Sequence, residues 1–284
     1  MLRPSSAALL LLAGSLAAPP VAPGTAEGQF ETKKLKVPIH GAYSYWGKSG
    51  GFGDDQVIKV AVSNAHFRAD LMDEHYDRGH AINSLFADDE TKVMTFEFEP
   101  DGKYRGLSYY FGSGDGCGFC YDSKVSSTVR AAGGRLQGEL SYKSDDREFR
   151  FKLDVPIPTK VWGDPLPRGG GEPARVYLAY HAALEKRDKA ALYALLDADA
   201  LARCKKYESE GKLDSYLAYR WDDMHMRMTS VSVEGGFVRG DRAVVLFTGS
   251  STLFDHLYGE ALLRKEGGKW LVHSDMIDFG ARPR

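Results

Sequence analysis

The strongest constraint on how this 284-residue chain folds is a segment near its middle, residues 158–173, which holds four prolines and a run of three glycines. Proline removes a backbone donor and glycine adds conformational freedom, so neither a helix nor a central strand is expected to run through it. Hydrophobic residues alternate with period two before this segment and recur with period 3.6 just after it. We therefore predict two domains, at residues 30–158 and 173–284, joined by a linker at residues 159–172.

The first region is predicted to be all β, apart from a helical turn or two near residues 81–86. Apolar and polar residues alternate along residues 136–142 and 149–155, with a Ser-Asp-Asp turn between them. Residues 94–98 repeat the pattern ahead of a Pro-Asp-Gly turn. Six or seven antiparallel strands indicate a sandwich or a small barrel. The layout resembles a β domain of exported bacterial proteins that has no assigned activity.

The second region is predicted to contain three or four helices followed by four strands. Val176, Tyr177, Tyr180 and Leu184 follow helical spacing, and Asp188 is suited to cap the next helix. After Met228 the period changes to two, and glycine-containing turns at residues 239–242 and 266–269 separate the later strands. This order predicts an α+β domain.

Three stretches of the second region resemble the nuclear transport factor 2-like superfamily. They are residues 180–196 (YHAALEKRDKAALYALL), 238–245 (VRGDRAVV) and 258–270 (YGEALLRKEGGKW). The resemblance implies a cone of helices packed on a curved antiparallel sheet, with a cavity inside it and a homodimer formed through the exposed sheet face. Members include ketosteroid-isomerase-like and polyketide-cyclase-like enzymes, dehydratases and binding or accessory domains, so the fold does not choose the function.

The N-terminus has the features of an export signal. Arg3 precedes an Ala- and Leu-rich run at residues 7–18, which is shorter than the roughly 20 residues that a membrane span needs. Small-x-small cleavage sites lie at residues 15–17 and 24–26, and we predict a signal peptide at residues 1–26. The mature protein is expected in the periplasm or outside the cell, with an uncleaved anchor as the alternative. With 37 basic against 39 acidic residues, nucleic acid is not an expected partner.

Cys117 and Cys120 form a CxxC motif beside a glycine-rich stretch. In an exported chain, a structural disulfide is the favoured prediction. Redox activity and metal binding are the alternatives: the first would place Cys117 at a helix N-terminus, which the pattern does not indicate, and zinc would need two further ligands. We predict neither a metal nor a cofactor. Cys204, on an apolar helical face, is predicted to be a buried thiol.

The candidates for a ligand pocket in the second region are Tyr177, Tyr180, Trp221 and His225. His273 and Asp275 are candidates for an acid–base pair, because residues two apart on a strand share a face. If side chains alternate strictly along the last strand, Leu271 and Ile277 lie on the same face as this pair and Trp270 lies on the opposite face. A hydrogen-bonded structural role for His273 and Asp275 is the more ordinary interpretation.

Two further clusters have metal-binding chemistry but ordinary interpretations. Residues 66–80 are rich in His, Asp and Glu, yet His75 and His80 would not share a helical face, so a solvated loop or polar helix is predicted. The methionines Met224, Met226 and Met228 suit Cu(I), but packing at the entry to the sheet is the commoner use.

The sequence contains no assembled catalytic motif. It therefore predicts a non-catalytic binding or accessory protein of the bacterial cell envelope, with a small molecule or an envelope protein as partner and a pocket in the C-terminal cone. The alternative is a cofactor-free pocket enzyme of the isomerase, cyclase or dehydratase kind. A thiol–disulfide role for the CxxC motif is the third hypothesis.

Overall fold

The computed structural model describes residues 24–33, 35–49, 55–85, 90–110, 117–120, 124–159, 162–225 and 227–280, without the side chains of residues 84–85, 108–110, 117–120 and 219–220. The protein is mostly β, with 48% strand in three antiparallel sheets. The strands are β1 (Thr25–Thr32), β2 (Lys36–Ile39), β3 (Gly41–Lys48), β4 (Gln56–Ser63), β5 (Val93–Phe98), β6 (Tyr104–Tyr110), β7 (Cys117–Cys120), β8 (Ser126–Ser127), β9 (Arg130–Ala132), β10 (Arg135–Lys143), β11 (Arg147–Pro156), β12 (Asp164–Pro165), β13 (Met228–Arg239), β14 (Arg242–Ser251), β15 (Leu257–Glu266) and β16 (Lys269–Phe279).

Two short helices lie between β4 and β5, and four helices precede β13. They are α1 (Ala69–Met72), α2 (Arg78–Leu85), α3 (Gly171–Glu185), α4 (Lys189–Ala194), α5 (Ala198–Ser209) and α6 (Leu213–Trp221). In the part of the chain that the structure describes, none of the helices has both the length and the apolar character that crossing a membrane requires.

Sheets A and B are built from β1 to β11. Sheet A has the order β2-β1-β11-β10-β8, with β9 also paired to β10, and sheet B is the meander β3-β4-β5-β6-β7. In sheet A, β1 pairs along its whole length with β11, so that Thr25 lies opposite Asp154 and Thr32 opposite Arg147. The start and the end of this part of the chain are therefore tied together by one strand pair.

One hydrophobic core lies between sheets A and B. Phe96 of sheet B contacts Phe149 and Phe151 of sheet A edge-on, with ring centroids 5.5 and 5.7 Å apart. The alternation predicted for β11 is confirmed, since Phe149 and Phe151 are buried while Arg150 is exposed. The prediction of an all-β region with a helical turn was incomplete, because both α1 and α2 lie within it.

Sheet C has the order β12-β13-β14-β15-β16, and the C-terminal helices pack on one of its faces. Tyr177 of α3 is fully buried there, and its ring stacks on that of Phe247 in β14 with centroids 4.6 Å apart. The predicted cap is confirmed, because Asp188 Oδ1 accepts a hydrogen bond from the Ala191 amide at 3.0 Å.

The predicted alternation along β16 was wrong, because the strand contains a β-bulge at His273. Leu262 of β15 lies opposite Ser274, whereas Leu263 lies opposite Val272, which leaves His273 as the extra residue. The bulge exchanges the faces of the strand, so Trp270, Val272 and Ile277 all belong to the core under the helices.

A short part of the predicted linker belongs to sheet C. Asp164 and Pro165 form β12 against β13, and α3 already begins at Gly171. Trp162 is buried on the face of sheet C that the helices leave free, together with Val244 and Leu262. That free face is the one through which the resemblance implies dimerisation, and the chain itself covers part of it.

Replacing Phe96 with alanine is expected to destabilise the protein by about 3–5 kcal/mol, because a fully buried ring between two sheets would leave a cavity. The free energy of unfolding in urea measures the loss. Phe279→Ala, which removes an exposed ring at the end of β16, is the control and should cost less than about 1 kcal/mol. Equal effects of the two substitutions would contradict the shared core.

Candidate functional site

A cavity of about 450 Å³ opens beside the start of sheet B. This volume is within the range of small-molecule sites, about 300–1,000 Å³. The walls come from β3, from residues 66–78 around α1, and from the chain that follows β11. The ionisable residues that line it are His40, Tyr43, His66, Asp73 and Arg78. Its apolar residues are Ala42, Phe67, Ala69, Pro156, Ile157 and Pro158.

Tyr43, Asp73 and Arg78 form the polar part of the inner wall. The Tyr43 hydroxyl donates to Asp73 Oδ1 at 2.7 Å, and Arg78 Nε lies 3.7 Å from the same oxygen. Burial raises the pKa of Tyr43 far above its ordinary value, so the phenol stays protonated and acts as a fixed donor. The Arg78 side chain is only 12% exposed.

His40 and His66 lie at the outer part of the cavity, since both residues are exposed to solvent. Their ring centroids are 6.2 Å apart. An imidazole can donate or accept a hydrogen bond depending on its protonation, so the mouth of the cavity offers two adaptable polar groups. The cavity therefore combines a polar inner wall, an apolar side and a polar rim.

Residues 73–80, which we call the 73–80 segment, separate the cavity from sheet C. Glu260 of β15 is only 2% exposed, and its carboxylate accepts hydrogen bonds from the Tyr76 and Asp77 amides at 3.1 and 2.9 Å. His75 Nδ1 lies 2.8 Å from the other carboxylate oxygen of Glu260. A buried carboxylate is stable only when its oxygens are hydrogen-bonded, and here both are.

Further ion pairs join the same segment to sheet C. His80 Nδ1 lies 2.9 Å from Asp278 Oδ2 of β16. Glu74 forms ion pairs with two arginines of sheet C, Arg242 at 2.9 Å and Arg264 at 3.2 Å. The segment is thus held to sheet C at both ends.

Aromatic contacts complete this interface. The Trp162 indole donates to the His75 carbonyl at 3.1 Å, and the Arg239 guanidinium lies 4.9 Å from the centre of the Trp162 ring. The Tyr76 ring stacks on Phe237 of β13 with centroids 5.1 Å apart. These contacts fix the segment whose Asp73 and Arg78 line the cavity.

The polar stretch at residues 66–80 was predicted to be a solvated loop or polar helix, and this was wrong in its centre. Glu74 and His75 are buried, and residues at both ends of the stretch line the cavity. The density of ionisable groups was the available signal. Their partners lie up to 198 positions away in sequence, so the pattern alone could not identify them.

The predicted pocket residues lie elsewhere and do not form one group. Tyr177, Tyr180 and Trp221 are buried in the core between the helices and sheet C. His225 is exposed, and its ring lies 5.6 Å from Phe254. None of the four lines the 450 Å³ cavity.

His273 and Asp275, the predicted acid–base pair, have different partners. His273 Nδ1 lies 2.7 Å from Oδ2 of Asp197, the fully buried residue that caps α5, while Asp275 Oδ2 lies 3.4 Å from the Tyr177 hydroxyl. Burial alone would raise the pKa of Asp197, but the hydrogen bonds from His273 and the Ala200 amide lower it.

Asp197, Asp199 and His273 bring three potential metal ligands within 4.8 Å of one another. Arg264 lies between the two carboxylates, with Nη1 3.6 Å from Asp197 and 2.7 Å from Asp199. Its guanidinium already supplies the positive charge that a metal would bring, so we assign this cluster to holding the start of α5 against β15 and β16.

The cysteine and methionine predictions have mixed outcomes. Cys204 is a buried thiol, as predicted. Cys117 and Cys120 are the two ends of β7, but their side chains lie outside the described structure, so the disulfide stays a prediction. Met228 is buried at the start of β13, Met224 is exposed, and Met226 is outside the described residues.

The interface between the 73–80 segment and sheet C should be sensitive to pH through His80. The hydrogen bond with Asp278 raises the pKa of His80 above 6.5 and lowers that of Asp278 below 3.8. Asp77 and Glu260 also face the imidazole and favour its charged form. The pair therefore stabilises the fold most between these two values, and this contribution is lost as the pH rises through the raised pKa of His80.

We expect His80→Gln to reduce the free energy of unfolding more at about pH 5.5 than at about pH 8.5. Urea unfolding at both pH values measures the difference. His256→Gln, at an exposed position, is the matched control and should show no such dependence. A loss of equal size at both pH values would show that the charged imidazole does not stabilise the interface.

Comparison with known proteins gives no assignment: no protein-family model matches the chain, and neither does any curated protein. The functional conclusion therefore depends on the cavity and on the residues that shape it.

Proposed function

We propose that this is an exported, non-catalytic binding protein of the cell envelope, and that its ligand is a small organic molecule held in the 450 Å³ cavity. The observation that carries the proposal is the composition of the cavity wall, in which a few polar groups face apolar residues. Small-molecule sites characteristically have this make-up, because the apolar part supplies binding energy and the polar groups fix orientation.

We further propose two domains, a β-sandwich of sheets A and B and a nuclear transport factor 2-like cone built on sheet C. The core shared by sheets A and B supports the first, and the packing of helices on sheet C supports the second. The cone would then position the cavity wall through Glu260 and Asp278. The proposed ligand site therefore differs from the pocket that the sequence predicted inside the cone. There, the aromatic rings of Tyr177 and Phe247 stack closely on each other.

The contacts of the ionisable residues favour binding over acid–base catalysis. In the cavity, the protonated Tyr43 hydroxyl already donates its hydrogen bond to Asp73. In the cone, His273 is engaged by Asp197, and its backbone carbonyl accepts from Arg203 at 2.7 Å. A homodimer stays a prediction of the resemblance.

A variant that fills the cavity tests the binding function. Ala69 begins α1 and lines the cavity, so Ala69→Phe is expected to abolish ligand binding by occupying its volume. Saturation-transfer NMR with a library of small organic acids, amines and neutral compounds measures binding. Ala198→Phe is the matched control, at the exposed first residue of α5. The proposed function predicts at least one compound whose binding is lost in Ala69→Phe and kept in Ala198→Phe. If the library contains no such compound, the proposed function is wrong.

Export with signal removal is expected to occur after Ala17 rather than after Ala26. Ala26 is 1% exposed in β1 and lies opposite Leu153 of β11, so cleavage after it would remove the first two residues of the strand. Intact-mass spectrometry of the exported protein should find a mature chain that starts at Ala18. A mature chain that starts at Glu27 would contradict this and would leave β1 shortened.

A further inference from the structure

We infer that the cavity selects a small organic monoanion, a carboxylate with an apolar body, and that the Arg78 guanidinium binds the carboxylate group. This inference rests on the proposed function and adds the chemical class of the ligand. It is carried by the hydrogen-bonding state of one buried arginine and by the residues that surround it.

Arg78 is buried without using its donors fully. Its Nε is inaccessible to solvent and has no hydrogen-bond acceptor among the residues that the structure describes. Unsatisfied buried donors are rare in folded proteins, because removing an N–H group from water without a new partner costs free energy. A guanidinium presents five such donors in a rigid, planar arrangement.

Asp73 compensates the charge of Arg78 without satisfying its hydrogen bonds. The separation of 3.7 Å between Arg78 Nε and Asp73 Oδ1 is an ion-pair distance and is longer than a hydrogen bond. The same Asp73 oxygen accepts the short hydrogen bond from Tyr43. Asp73 is held in place by Tyr43, and the part of the Arg78 side chain that lines the cavity remains available to a ligand.

The other cavity walls favour a single negative charge on an apolar body. Arg78 and Asp73 have opposite formal charges, so the lining lacks the excess of fixed positive charge that a dianion would need. A carboxylate carries one charge and matches the guanidinium geometry with two parallel hydrogen bonds. Phe67, Ile157 and Pro158 offer an apolar surface for the remainder of the ligand.

A panel of matched probes tests the chemical class. It contains hexanoate, octanoate and 3-phenylpropionate, the primary amide of each acid, and phenyl phosphate as a dianion. Dissociation constants are measured by NMR titration on the full chain. We expect at least one acid to bind tenfold or more tightly than its own amide, and more tightly than phenyl phosphate.

Variants of Arg78 test whether the preference for an acid over its amide depends on this residue. Arg78→Gln should remove the acid-over-amide ratio, and Arg78→Lys, which keeps the charge but not the planar donors, should retain part of it. Arg68→Gln is the control, because Arg68 is exposed and already bonded to Asp70. Circular dichroism verifies the folding of each variant.

The results separate this inference from the proposed function. If amides bind as tightly as acids, and Ala69→Phe abolishes that binding, the cavity is a ligand site but the anion preference is wrong. A preference that persists in Arg78→Gln also overturns the inference. The inference also fails if no probe binds, or if the probes bind Ala69→Phe as tightly as the unmodified protein, because the cavity then does not hold these anions. The proposed function is in that case tested by the wider compound library alone.

Discussion

The arrangement of the two halves of this protein depends on the buried carboxylate of Glu260. It accepts two backbone amides of the 73–80 segment and lies next to His75, all about 185 positions away in sequence. Removing a charge from water costs several kcal/mol unless its oxygens are hydrogen-bonded, so this group specifies one position of the segment on sheet C. A displaced segment would leave the carboxylate buried without partners.

This constraint explains how a cavity can persist in the other half of the protein. The 73–80 segment has little regular structure of its own, since α1 ends at Met72 and α2 begins at Arg78. Contacts with sheet C hold the segment in place where hydrogen bonds within the segment are few, and they fix Asp73 at its start and Arg78 near its end. The side of the segment toward sheet C is therefore structural, and the side toward sheets A and B is available for a ligand.

The sequence could predict those parts of the fold that depend on local patterns. The alternation along β11 and the capping of α4 by Asp188 follow from neighbouring residues, and both are present. The bulge at His273 could not be predicted, because one extra residue in a strand leaves no mark on an alternating pattern unless the partner strand is known. Strand β3 was missed for a related reason: its consecutive residues Ala42, Tyr43, Ser44 and Tyr45 are all buried, so no alternation appears.

The candidate site was harder to predict than the fold, because its residues acquire their roles only from distant partners. Asp73, His75 and Arg78 lie within six positions of one another, yet Asp73 accepts from Tyr43, His75 contacts Glu260 and Arg78 lines the cavity. In the sequence these three residues look like any hydrophilic loop. What distinguishes them is their position between two parts of the fold: sheets A and B lie on one side of the segment and sheet C lies on the other. The charges of such a stretch need partners within the protein, and Arg78, whose charge is balanced by Asp73 at 3.7 Å, also lines the cavity.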